Sequence, residues 1–326
     1  MAKNVKRYEI EADVFSLDFS SCKNLIVENV TFIPFSDWRE RYKKCKENTH
    51  TNTGIIKVSF DSSITNKEDA FRIAKEKLDL FSKLLSYAHG HDVFCDNWVT
   101  YEVINNERKE ISRSRYSIRI GNVRGGGHRV YLSKIDFLID VLPLINDKEF
   151  VKDTSILWAI AWCNEADIFS LTNAMEIQFV MHWITLETLA NRCSETNDVE
   201  LLLNAEQFKV FRESLKTIIE QKIEINDQLI KKMLYKNIDC FRRRNIVDKV
   251  IFLLKQLKLD KYSDEISKLN KIRNAIIHTR SVNSNDLLDA YRKLTRINEK
   301  VIFSLLGVLD KDYIRPAIRD EKLLSR

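Results

Sequence analysis

The chain has 326 residues, 44% hydrophobic and 10% aromatic, enough apolar material for sizeable cores and too much for a disordered protein. A formal charge of +6 permits a nucleic-acid partner but excludes the dense basicity of a histone-like binder. No run reaches the roughly 18 apolar residues that span a bilayer, the first residues Met1-Ala2-Lys3-Asn4 form no apolar leader, and six cysteines are scattered without paired spacing; a cytoplasmic protein with no membrane partner is expected.

Residues 1 to about 145 read as strands, at 8–14, 25–34, 54–60, 93–104, 116–120 and 128–132, where β-branched and aromatic residues concentrate. Between them, 66–88 carries Ala70, Ile73, Ala74, Leu78, Phe81, Leu84 and Leu85 at helical spacing and should cover one sheet face. A short helix at 133–142 leads to Pro143 and the polar Asn146-Asp147-Lys148. The predicted boundary therefore separates an α+β domain, 1–147, from an all-α domain, 148–326. In the latter, helices are predicted at 154–168, 172–193, 204–223, 226–257, 263–280 and 284–308. Caps are offered by Asn226-Asp227, Ser263 and the Asn283 to Asp286 cluster. Short connections favour antiparallel neighbours in a bundle.

The segment Lys271-Ile272-Arg273-Asn274-Ala275-Ile276-Ile277-His278 brings a permanent cation and a titratable imidazole to the end of an apolar helix. Counting from Ile266 and Leu269 puts Arg273 on or beside the buried stripe. His278 lies about 140° further round an ideal helix. Both face one cleft only if the helix end bends or a second copy contributes, which makes a homodimer attractive. In an RNA cleavage, Arg273 would stabilise charge on the phosphorane oxygens and His278 would move protons. Asn274 could orient the phosphate or be an ordinary exposed polar residue. Glu187, among Trp183, Ile184 and Ala190, either pairs with Arg273 or faces water.

This Arg-Asn-x3-His, late in an all-helical domain, resembles the HEPN superfamily, whose motif is Arg-polar-x3 to x5-His. The segment from Met175 to Leu189 looks like that family's early bundle helix, with its Leu186-Glu187-x-Leu189 step. The likeness runs from about residue 150 onward and is nearest to HEPN domains of bacterial abortive-infection proteins of the ApeA type. It implies a four-helix-like bundle that dimerises and cleaves RNA without metal or cofactor, in defence or as a toxin. The first domain would then sense a phage-derived or cellular activator. Thr279 stands where many relatives carry glycine. The rival expectation is a non-catalytic module that binds a protein or nucleotide.

Three other features have a plain reading beside a functional one. Arg242-Arg243-Arg244, with Lys271, Arg280 and Arg292, forms either an RNA-phosphate rim or solvated helix faces. Arg124-Gly125-Gly126-Gly127-His128-Arg129 is a hairpin tip or a phosphate nest, without the strand-to-helix context of a P-loop. His89-Gly90-His91 with Cys95 is a helix-ending turn or three zinc donors, and the turn is the expectation, so no metal is called for.

Overall fold

The computed structural model describes residues 6–19, 21–46, 51–61, 63–64, 66–115, 129–130, 134–169, 175–222, 228–278 and 282–319. The mixed α+β class holds. One antiparallel sheet carries six strands in the order β2-β3-β4-β1-β5-β6, formed by β1 (Lys6–Phe15), β2 (Leu25–Val27), β3 (Val30–Pro34), β4 (Asn52–Ser59), β5 (Phe94–Ile104) and β6 (Glu107–Ser114). Period-two burial sets which face turns inward: Tyr8, Ile10, Ala12 and Val14 of β1 are buried, whereas Glu11 and Asp13 sit on the other face.

The single strand expected at 25–34 is a hairpin instead. Glu28, at φ 54°, turns the chain between β2 and β3, and the flanking Leu-Ile-Val and Val-Thr-Phe-Ile runs concealed that turn in the sequence. Strand β6 was not anticipated, because its Glu-Arg-Lys-Glu-Ile-Ser-Arg-Ser sequence lacks apolar alternation. It lies at the sheet edge, where charge is favoured, behind an Asn105-Asn106 turn with both residues at positive φ. The nine-residue α1 (Trp38–Lys46) was too short for its period to stand out. The strands expected at 116–120 and 128–132 lie outside the described residues, apart from Arg129 and Val130; Val130 bridges to Ile314.

Helix α2 (Lys67–His89) lies on the inner sheet face. Its Ala70, Ala74, Leu78, Phe81 and Leu85 are buried at helical spacing, and Phe81 stacks on Phe32 of β3 at 6.2 Å. Asn66 caps its start by accepting the Asp69 N–H at 3.0 Å. Gly90, at φ 68°, ends it in the left-handed region that glycine enters at least cost.

The rest of the chain is helical: α3 (Lys134–Asn146), α4 (Lys148–Thr154), α5 (Ile156–Phe169), α6 (Met175–Thr196), α7 (Ala205–Lys222), α8 (Gln228–Ile238), α9 (Ile246–Gln256), α10 (Ser263–His278), α11 (Ser284–Leu305) and the short α12 (Pro316–Arg319). The helix expected to stop at 142 continues through Pro143, an exposed residue, so water can serve the carbonyl that the proline leaves unpaired. Asp147 caps α4 at the expected boundary. The one helix expected over 226–257 is broken by a 3₁₀ turn, Asp239–Arg242, and restarts where Asn245 caps α9.

Helix α6 packs against α5, α9, α10 and α11, while α2 contacts the sheet on one side and α3 and α5 on the other. A single apolar core therefore runs from Ile10 and Phe32 through Phe81 and Tyr87 to Phe303, Trp183 and Leu254, past residue 147 without a break. Tyr87 and Phe303 meet with ring centroids 5.5 Å apart. Helices α7 and α8 form a hairpin with a separate small core of Phe208, Ile219 and Ile238. No helix among the described residues is long and apolar enough to cross a membrane.

Candidate functional site

Helix α10 carries the Arg-Asn-x3-His segment. Asp264 and Glu265 occupy its first turn, where carboxylates suit the helix dipole. Ile266 and Leu269 anchor it in the core. Arg273, one turn on, is half-buried. Its Nη1 donates to Asn274 Oδ1 at 3.1 Å, and its Nε is shielded from solvent without a hydrogen-bond partner among the described residues. His278 is exposed and is the last residue of the helix. Because α10 is continuous through both residues, the ideal offset of about 140° applies to them.

Glu187 is half-exposed on α6. Neither a hydrogen bond nor an ion pair joins it to Arg273 among the described residues, which matches the water-facing alternative: water, rather than a guanidinium, offsets the cost of its charge. Lys271 is exposed and faces a groove of about 470 Å³ between α10 and α11, whose floor is Leu269, Ile272, Ala275 and Ala290. Arg273 and His278 do not line that groove.

The three-arginine run is not a solvated helix face. It begins on the last residue of the 3₁₀ turn, Arg242, and its members do different things. Arg242 lies over the Phe208 ring at 5.6 Å, and Arg244 Nε donates to the Val199 carbonyl at 2.7 Å. Arg243 is exposed, as is Arg292 on α11. Arg280 and the Arg124 to His128 segment lie outside the described residues.

His89 and His91 meet edge to face at 4.8 Å, and His91 Nε2 lies 3.0 Å from the Ser16 carbonyl oxygen. Cys95 instead contacts Ser82 Oγ at 3.6 Å, and burial pushes its thiol up to about 12. Among the described residues, no three His, Cys, Asp or Glu side chains gather as metal ligands.

The strongest polar cluster went unrecognised in the sequence. Arg129, 2% exposed, binds Asp167 of α5 through both terminal nitrogens and Glu299 of α11 through Nε at 3.1 Å. Its guanidinium lies 4.7 Å from the Tyr87 ring centroid. Burial opposes the charge on Arg129, but the two carboxylates outweigh it and hold the group well above its ordinary pKa. Burial raises the Asp167 carboxyl, with Arg129 pulling the other way. Close by, His182 is fully buried. Asn298 Nδ2 donates to its carbonyl at 2.7 Å, and Cys163 Sγ lies 3.9 Å from its Nδ1. Burial, reinforced by the Arg129 charge, lowers His182 to about 3, so the ring is neutral. Cys163 is raised to about 12, chiefly by burial. A neutral imidazole beside a neutral thiol, both sealed from solvent, is a packing arrangement and not a nucleophilic pair. The signal available in sequence was a carboxylate inside an apolar helix, Asp167 in Ile156–Phe169.

Comparison with family models, curated proteins and solved structures gave no match for this chain.

Proposed function

We propose that the protein is a HEPN-like, metal-independent endoribonuclease whose active unit is a homodimer. The observation that carries this reading is the composition of α10: a guanidinium steadied by its neighbour Asn274 and a solvent-exposed His278 at the end of the same helix. The 2'-hydroxyl of RNA attacks the adjacent phosphorus, the bond to the 5'-oxygen breaks, and a 2',3'-cyclic phosphate remains. One His278 takes the 2'-hydroxyl proton and the His278 of the second copy gives a proton to the departing 5'-oxygen. Arg273 stabilises the phosphorane oxygens. Two copies are needed because one helix turns the two side chains about 140° apart. Lys271, Arg243, Arg280 and Arg292 would follow the RNA backbone. A defence or growth-arrest role, with the sheet half receiving an activator, extends the same reading.

The test is incubation of purified protein with total RNA in the presence of EDTA. Cleavage products ending in 2',3'-cyclic phosphate are expected, and neither Arg273→Ala nor His278→Ala should form them while both stay folded. Cleavage by both variants at the wild-type rate would take the chemistry off α10, and no cleavage by the wild-type protein would leave the rival reading, a non-catalytic binding module.

A further inference from the structure

We infer that the α7–α8 hairpin docks on an anionic lipid surface, a binding function independent of α10. The hairpin is built to stand apart from the body. Phe208, Ile219 and Ile238 form its own core, and α7 packs chiefly on α8. Its base is pinned by backbone bonds, Leu202 N–H to the Arg242 carbonyl at 2.8 Å and Arg244 N–H to the Glu200 carbonyl at 2.9 Å. Apolar side chains that a soluble hairpin would bury are instead turned outward. Leu229 is 66% exposed, Met233 57%, Ile230 50% and Ile218 47%. These four lie in the second half of α7 and the first half of α8, the end of the hairpin away from its pinned base.

Charge identifies the occupant. Helix α8, Gln228–Ile238, holds three lysines and no Asp or Glu. Lys232, Met233 and Lys236 stand three, four and seven residues after Leu229 on α8, on one side of the helix, and all are exposed. That stripe alternates aliphatic tips with cations, the pattern of a helix lying in a headgroup layer. RNA would take the lysines and leave Leu229, Ile230 and Met233 in water. A second copy of the same face would set like charges against each other. An anionic bilayer satisfies both the aliphatic and the cationic groups and needs no complementary shape.

The experiment is co-sedimentation of the full chain with phosphatidylcholine vesicles, with and without 30 mol% phosphatidylglycerol, at low and high salt. Binding to the anionic vesicles alone, weakened by salt, is expected. Lys232→Glu/Lys236→Glu and Leu229→Ser/Met233→Ser should each lower partitioning at least about tenfold, with helicity unchanged by circular dichroism and RNA cleavage unaffected. Equal binding to neutral vesicles, no binding to either, or variants that bind like wild type would overturn the inference. So would a change in sedimentation velocity showing that the same variants dissolve a dimer.

Discussion

Arg129 grips Asp167 in a two-pronged bond, Nη1 to Oδ2 at 2.8 Å and Nη2 to Oδ1 at 3.1 Å, with both side chains at most 3% exposed. The arginine follows the glycine run of the sheet half, whereas Asp167 belongs to α5 and the second acceptor, Glu299, to α11. One guanidinium thus ties three distant stretches of chain together in a place where water cannot replace it.

Removing that cation strands the Asp167 carboxylate in the core and leaves Glu299 only Arg315, whose Nη2 lies 3.5 Å from its Oε2. Arg129→Met should cost about 3–5 kcal/mol in urea unfolding, because the loss of one partner leaves uncompensated buried charge. Arg129→Met with Asp167→Asn should recover part of it, since the stranded charge is then gone. A loss below about 1 kcal/mol for the single variant would show that the pair contributes little.

Acid should act through His182. Its folded pKa, about 3, lies below the ordinary 6.5, so between those values the unfolded chain takes up a proton that the native chain refuses. The contribution is full above pH 6.5 and is lost progressively as pH falls toward 3, which amounts to at most a few kcal/mol. Denaturation midpoints of wild type and His182→Asn measured from pH 7.5 to 4 should converge as the pH falls. Parallel curves would remove His182 from the account.

Asn274 holds the Arg273 guanidinium at 3.1 Å. If Arg273 acts on the phosphorane, Asn274→Ala should lower kcat by roughly 10- to 100-fold, the usual effect of loosening a positioned group, and leave KM nearly unchanged. An effect confined to KM would make Asn274 a binding residue instead.

Gly54 has no room for a side chain. A Cβ there would meet the Ile33 carbonyl oxygen at 2.6 Å and the Phe19 ring at 2.8 Å. Gly54→Ala should destabilise the protein by about 1–3 kcal/mol, the ordinary cost of overpacking, by forcing β3 and β4 apart. Thermal unfolding measures it, and an unchanged Tm would mean that the sheet yields freely.

Elements with a strong period or a local cap were legible in the sequence. Helix α2 begins right after Asn66, within one residue of where its spacing put it, and α11 begins after Asn283, whose side chain accepts the Asn285 N–H. Elements fixed by position in the sheet were not: β6 is a strand because β5 offers it an edge, not because its residues prefer one. Ser263, expected as a cap, is already helical because a 3₁₀ turn, Asp260–Tyr262, leads into α10. The α10 residues of the candidate site could be named from their spacing, and Asp167 stood out only as a carboxylate on an apolar helix, but Glu299 and Asn298 could not, since each looks like any polar residue on its helix until Arg129 or His182 is brought beside it.

The position of α2 between the sheet and the helices restricts how this architecture can diversify. Recombination near residue 147 would expose two greasy surfaces shaped for each other, so the front half cannot be exchanged like a cassette. New specificities must come from drift within the existing pair, most freely at the solvent side of the sheet and at the outlying α7–α8 arm, where substitutions leave the common interior intact.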